Sequence, residues 1–275
     1  MSRHLNLFLP EWQGYGVDNS PQKGAVALRE SLFSQIVFQE IEIASDEVLQ
    51  RQNEIVGYDS VLKTMREIRH AIQQAQATSI FTLGGTCGVE VVPVTWLNEI
   101  YQGDLGVVWL DAHGDLNTPE SSPSGHFHGM PVRTILGEGD ASLCDLAFSV
   151  LKPEQIFQVG VRDLDEAESV FIESSGIRVY DVEVDPAVLL KDISSSYSNV
   201  YIHFDLDVLD PEEFAEMIFH VSSGMSWSKA LAVVKELTQQ LNLVGGSLLE
   251  FVPRDGLSEV QTDLLKNLAN LLMAE

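Results

Sequence analysis

Cysteine is nearly missing from this chain: Cys87 and Cys144 are the only two among 275 residues. Two thiols cannot make the disulfide framework of a small secreted protein, and they agree with a reducing compartment. Basic residues are scarce as well. Only 16 lysines and arginines face 41 aspartates and glutamates, for a formal net charge of −25. Phosphate backbones and anionic lipid surfaces would be repelled, so nucleic acid and membrane partners are excluded. No apolar run approaches the roughly eighteen residues of a membrane span, and the start Met1-Ser2-Arg3-His4 carries no secretory apolar region, so a cytoplasmic protein is expected. Repeats, low-complexity tracts and a dividing linker are lacking too, so residues 1–275 read as one domain. With 45% hydrophobic residues the chain can bury a full α/β core.

What is present is a set of strands that end in acids. Residues 108–110 form an apolar, β-rich run that leads into Asp111-Ala112-His113-Gly114-Asp115-Leu116-Asn117. If the backbone stays extended there, Asp111, His113 and Asp115 share one side, because strand side chains alternate. Two carboxylates and an imidazole make a metal-ligand set of hard oxygens and one nitrogen. A second such strand, Val200-Tyr201-Ile202-His203-Phe204-Asp205-Leu206-Asp207, is followed by Asp210-Pro211, and Asp205 and Asp207 again lie two apart. One acid-tipped strand can be a helix or turn cap. Two in one α/β chain point to a cation, because acids gathered so closely repel one another without one.

Taken in order, strands are expected at 5–9, 79–83, 105–110, 155–160, 177–182, 200–207 and 243–251. Helices are expected at 25–33, across 46–75 with a break near Gly57, and at 89–101, 227–241 and 257–273. Strands alternating with helices give a parallel, doubly wound sheet whose crevice lies beyond the carboxyl ends of its strands. The loop Gly84-Gly85-Thr86-Cys87-Gly88 reaches that edge. Cys87 there reads as a small buried hydrophobe or as a metal-bound thiolate, and spacing alone favours the first. The Pro- and Gly-rich stretch 118–131 brings His126 and His128, which read as acid, base, ligand or plain surface residues. The acids at Asp163, Asp165, Glu166 and Glu168 open a helix; they serve its dipole or receive a substrate ammonium. Glu250 falls at the end of the strand expected at 243–251.

Together, Gly84-Gly85-Thr86-Cys87, Asp111-Ala112-His113-Gly114-Asp115, His128-Gly129-Met130-Pro131 and Asp205-Leu206-Asp207-Val208-Leu209-Asp210-Pro211 resemble the ureohydrolase family of arginase and agmatinase, from about Gly24 onward. The resemblance implies a three-layer α/β/α sandwich with an eight-stranded parallel sheet, two Mn²⁺ ions per chain and a homo-oligomer, a trimer or hexamer. It implies Asp111, His113, Asp115, Asp205 and Asp207 as five of six metal ligands. The sixth is normally a histidine and here is Cys87, so the resemblance makes a thiolate ligand the better reading and shifts that position toward softer ions such as Zn²⁺ or Co²⁺. Asn117, Ser122 and Ser124 match positions that hold an α-carboxylate, Asp165 and Glu168 those that meet an α-ammonium. His126 replaces a further polar contact.

The implied reaction is hydrolysis of the guanidino group of L-arginine or Nω-hydroxy-L-arginine to urea or hydroxyurea plus ornithine, by hydroxide made from water bridging the metals. Asp115 orients the nucleophile and relays a proton, Glu250 grips the guanidinium, and His128 shuttles protons. An agmatinase, a formiminoglutamase-type enzyme and a non-catalytic binding protein with an impaired metal site are the alternatives.

Overall fold

The computed structural model describes residues 3–254 and 256–273; Met1 and Ser2, part of the start read above, lie outside them. The strands are β1 (His4–Leu9), β2 (Gln39–Glu40), β3 (Arg51–Gln52), β4 (Ile55–Val56), β5 (Ser79–Gly84), β6 (Leu105–Leu110), β7 (Ile156–Val159), β8 (Arg178–Tyr180), β9 (Asn199–Phe204) and β10 (Asn242–Leu248). Eight of them form one sheet in the order β2-β1-β5-β10-β9-β6-β7-β8, and β3 pairs only with β4. Every pairing within the large sheet is parallel. All its strands therefore end at one rim.

Alternation along the strands explains the layers. Leu7, Ile80, Val107, Trp109 and Tyr201 fall in one buried cluster, while their neighbours Phe8, Phe81, Val108 and Ile202 fall in another. Helices α2 (Tyr58–Ala75) and α3 (Val91–Ile100) cover the first face. Helices α1 (Ser20–Leu32), α7 (Pro186–Ser194), α8 (Trp227–Gln240) and α9 (Glu259–Leu272) cover the second. The short α4 (Pro131–Ile135) and α5 (Ala141–Cys144) and the longer α6 (Glu166–Ser175) complete the set. The result is the three-layer α/β/α sandwich with an eight-stranded parallel sheet.

The helices form where stripe and cap agree. In α9, Leu265, Leu268, Ala269 and Leu272 are buried at helical spacing, and the Ser258 hydroxyl accepts from the Gln261 N–H at 3.2 Å in a capping box. Among the described residues no helix is long and apolar enough to cross a membrane.

Several expectations need correction. Residues 46–56 are not helical: after an irregular stretch, Arg51 to Val56 make a hairpin whose tip residues Asn53 and Glu54 have φ of 49° and 62°, the backbone of a tight primed turn. Val48, within the stretch expected to be helical, is 85% exposed. The helix starts only after Gly57, whose φ of 70° breaks the chain direction. The last strand stops at Leu248, because Glu250 turns to a φ of 63°. The strand expected at 177–182 is reduced to Arg178–Tyr180.

Candidate metal centre

Five neighbouring strands, β5, β10, β9, β6 and β7, deliver the site. Past their ends come Cys87, Glu250, Asp205 with Asp207, Asp111 with His113 and Asp115, and Asp163 with Asp165. The acidic ends are thus side by side at the crevice. Extension does not carry through both motifs, however. His113 still bridges Asp163 in strand fashion, but Asp115 turns to a φ of 55°, and Asp207 sits on a short 3₁₀ turn capped by Asp205, whose Oδ1 accepts the Asp207 N–H at 2.7 Å. The carboxylates converge because the turns redirect them. Left-handed backbone at two non-glycine site residues, Asp115 and Glu250, is strain held by the surrounding packing.

Two donor groups share Asp111. Asp111, His113 and Asp207 form one, and Cys87, Asp111, Asp115 and His203 the other, with donor atoms in each group within 4.8 Å of one another. A third group joins Cys87 to Asp205 and Glu250. His113 Nδ1 lies 3.0 Å from Asp207 Oδ2 and 3.4 Å from Asp111 Oδ1. Cys87 Sγ is 3.1 Å from Asp205 Oδ2. Glu250 Oε1 accepts the Cys87 N–H at 2.9 Å and faces His128 Nδ1 at 3.3 Å. Behind Asp207, Arg162 donates to the Asp207 carbonyl at 2.8 Å and to that of Val221 at 2.8 Å, clamping the turn.

The electrostatics are those of a cage short of positive charge. Burial first, then the charges of neighbouring acids, pushes the Asp115, Asp205 and Asp207 carboxyls up. Cys87 is pushed well up by burial and by Asp205. Burial also opposes ionisation of Asp111, but His113 and His203 outweigh it and hold that carboxyl low. Burial likewise works against the His113 imidazolium, and Asp207 and Asp111 override it and push the ring strongly up. Asp115 Oδ2 and Glu250 Oε2 are buried without a hydrogen-bond partner. An uncompensated buried carboxylate is costly, and a divalent cation removes that cost. The donors fit metal ions.

Above the cage opens a pocket of about 200 Å³. Its walls hold the residues singled out from the sequence for metal, catalysis or substrate, save Asp111, which lies fully buried beneath, and the two acids Asp163 and Glu166, which do not line it. The Asn117 amide donates to Asp165 Oδ2 at 2.9 Å, and the Ser122 and Ser124 hydroxyls stand 3.4 Å apart. Glu168 does two jobs: it forms the capping box of α6 with Asp165, and it accepts the Leu116 N–H at 2.9 Å inside the pocket. Burial pushes its carboxyl up. His126 and His128 stand on the same wall near Tyr15, 6.3 and 5.6 Å from its ring.

Sequence reasoning passed over three groups. His203 is completely buried, stacked on Trp109 at 3.6 Å, and belongs to the donor group of Cys87, Asp111 and Asp115. Its signal was available: His203, Asp205 and Asp207 repeat the every-second-residue spacing of Asp111, His113 and Asp115. Phe219, in the unassigned segment 212–226, borders the pocket mouth 5.3 Å from His113 and 5.6 Å from His128. Glu11, from the loop after β1, is buried beside the site, where it accepts from Thr86 Oγ1 and from the Gly14 N–H. Neither has a sequence signal, since each depends on where a loop folds.

A parallel sheet with adjacent acid-tipped strands and a pocket above them defines a three-layer α/β/α protein with a candidate metal centre at one rim of its sheet. The arginase family model matches residues 17–273. An arginase of Staphylococcus aureus is 32% identical over 213 residues, 74% of this chain and 70% of that protein. The crystal structure of Bacillus subtilis arginase superposes with a TM-score of 0.81 at 25% identity, covering 100% of this chain and 99% of the other. That of Entamoeba histolytica arginase, solved with L-ornithine, gives 0.82 at 23% identity over 98% of each chain. The chain belongs to the arginase family, whose members hydrolyse amidino C–N bonds.

Proposed function

We propose that this chain hydrolyses the terminal guanidino group of an arginine-like amino acid, L-arginine or Nω-hydroxy-L-arginine, to urea or hydroxyurea plus ornithine. The observation that carries the reading is the pairing of two ends in one pocket. Unpartnered Asp115 Oδ2 and Glu250 Oε2 lie at the bottom, and Ser122, Ser124 and Asn117 with Asp165 and Glu168 lie on the wall. The first suits a cation and a guanidinium; the second suits the opposite charges of an α-amino acid.

Asp111, Asp205 and Asp207 with His113, and Asp115 with Cys87, would hold two divalent cations, Mn²⁺ in the position beside His113. When bound, they supply the Lewis acidity that makes water a nucleophile near neutral pH. The protein's own part is positioning and proton movement. Glu250, fixed through Oε1 by the Cys87 N–H, offers Oε2 to the guanidinium and holds its carbon over the cage. His128 passes protons between the pocket and solvent. Asp115 relays the proton that the departing amine requires. In this reading the chain works as a homo-oligomer, a trimer or hexamer, in the cytoplasm.

Turnover of arginine, Nω-hydroxy-arginine, agmatine and formiminoglutamate under equal metal loading tests the substrate. Urea or hydroxyurea from the two amino acids is expected. Activity confined to agmatine would remove the purpose of the hydroxyl wall and overturn the reading.

A further inference from the structure

His203 is the group whose surroundings the reaction above leaves unexplained. It lies at the end of β9, fully buried, with one ring face stacked on Trp109 at 3.6 Å and 8°. Its Nδ1 points back to Glu90 Oε2 at 3.4 Å and Ser247 Oγ at 3.4 Å. Its Nε2 points into the cage, 3.5 Å from Cys87 Sγ and 3.7 Å from Asp111 Oδ2. A histidine that ligates a metal through one nitrogen usually donates its other N–H to a carboxylate, which fixes tautomer and ring orientation. Glu90 stands in that position. The spacing fits as well: a tetrahedral ion with sulfur at about 2.3 Å and nitrogen at about 2.0–2.1 Å sets those donors roughly 3.5 Å apart. Asp115, in the same donor group, keeps a buried oxygen without a partner.

We infer that His203 Nε2 is a metal ligand and that the inner cation is held by Cys87, Asp111, Asp115 and His203, with Glu90 as the positioning residue behind the imidazole. The inference deepens the metal reading of the same site and rests on it. One thiolate, one imidazole and two carboxylates form a borderline donor set, whereas the outer group of Asp111, His113 and Asp207 is oxygen-rich. The centre is therefore chemically uneven. Zn²⁺ or Co²⁺ fills the inner position first, and Mn²⁺ the outer.

The test is X-ray absorption of the metal-free full chain given one equivalent of Zn²⁺, with metal counted in parallel. Sulfur and imidazole scattering on the same ion is the expected result. Sulfur without imidazole, or a zinc shell lacking sulfur, overturns the assignment while metal uptake keeps the centre itself; no uptake of any divalent ion removes both. Mutation adds a second arm. In H203N, inner Zn²⁺ affinity should fall about a hundredfold, and in E90Q, which keeps His203, about tenfold, with Mn²⁺ still bound at the outer position. Unchanged zinc affinity in both variants overturns the proposal even if one of them folds poorly.

Discussion

Glu11 carries a titration that can be read from stability alone. Burial drives its carboxyl to about 7, against the lowering effect of the Thr86 and Gly14 hydrogen bonds. Between its ordinary value of 4.5 and about 7, the folded chain holds a proton that the unfolded chain has released. Stability from this group therefore falls as pH rises through that window, by about 3 kcal/mol in all. E11Q removes the dependence. Relative to the parent it should gain stability from pH 5 to pH 8 in urea melts; parallel curves would show that Glu11 ionises freely. At Cys87 the expectation concerns hardness. C87H should raise Mn²⁺ occupancy at the expense of Zn²⁺, and unchanged occupancy of both ions would count against the thiol as a ligand. At this scale Asp111, His113, Asp205 and Asp207 were legible in the sequence because acids and a histidine are massed just past two apolar strands, although turns rather than strand alternation bring them together. His203, still inside its strand, was overlooked because its neighbours are apolar. Glu90 could not have been found, since its role depends on how α3 approaches β9.

The elements decide how tightly the loops hold those residues. Gly85 has no room for a side chain: a Cβ there would lie 1.9 Å from the Glu11 carbonyl oxygen. G85A must push apart the two loops that position Cys87 and Glu11. It should cost about 3 kcal/mol in urea unfolding and weaken metal binding together; full stability would mean the loops are looser than their packing implies. The substrate wall depends on the turn in which the Ser122 hydroxyl accepts the Gly125 N–H at 3.0 Å. Removing both hydroxyls in S122A/S124A should raise KM for arginine about tenfold or more, with kcat little changed, and leave agmatine unaffected. Equal losses for both substrates would place the serines in loop structure alone. The long helices were readable because their apolar stripes persist over several turns. The hairpin at 51–56 was not, because its two-residue turn relies on Asn53 and Glu54 adopting positive φ without a glycine.

Over the whole molecule, parallel strand direction is what turns scattered motifs into a site. Ends separated by up to 163 residues, as Cys87 and Glu250 are, meet at a hydrogen bond of 2.9 Å. The sheet order was not readable from the sequence alone, since it rests on which strands pair across the chain. A cage built from acids that repel one another must stabilise the fold when filled. At a hundred times its Kd, a bound ion contributes about 2.7 kcal/mol, so removing metal with a chelator should lower Tm by about 5–10 °C. His113 and Cys87 are held protonated without a cation, so uptake must displace protons, and affinity should rise with pH. Calorimetry in buffers of different ionisation heat would show the release; none would mean the ions bind elsewhere. The most direct measurement is anomalous diffraction from a crystal soaked in Zn²⁺ and Mn²⁺, recorded at both metals' absorption edges. Two peaks are predicted, both touching Asp111, one beside His113 and Asp207 and the other beside Cys87 and Asp115. Peaks elsewhere on the protein, or none at this rim, would contradict the shared cage.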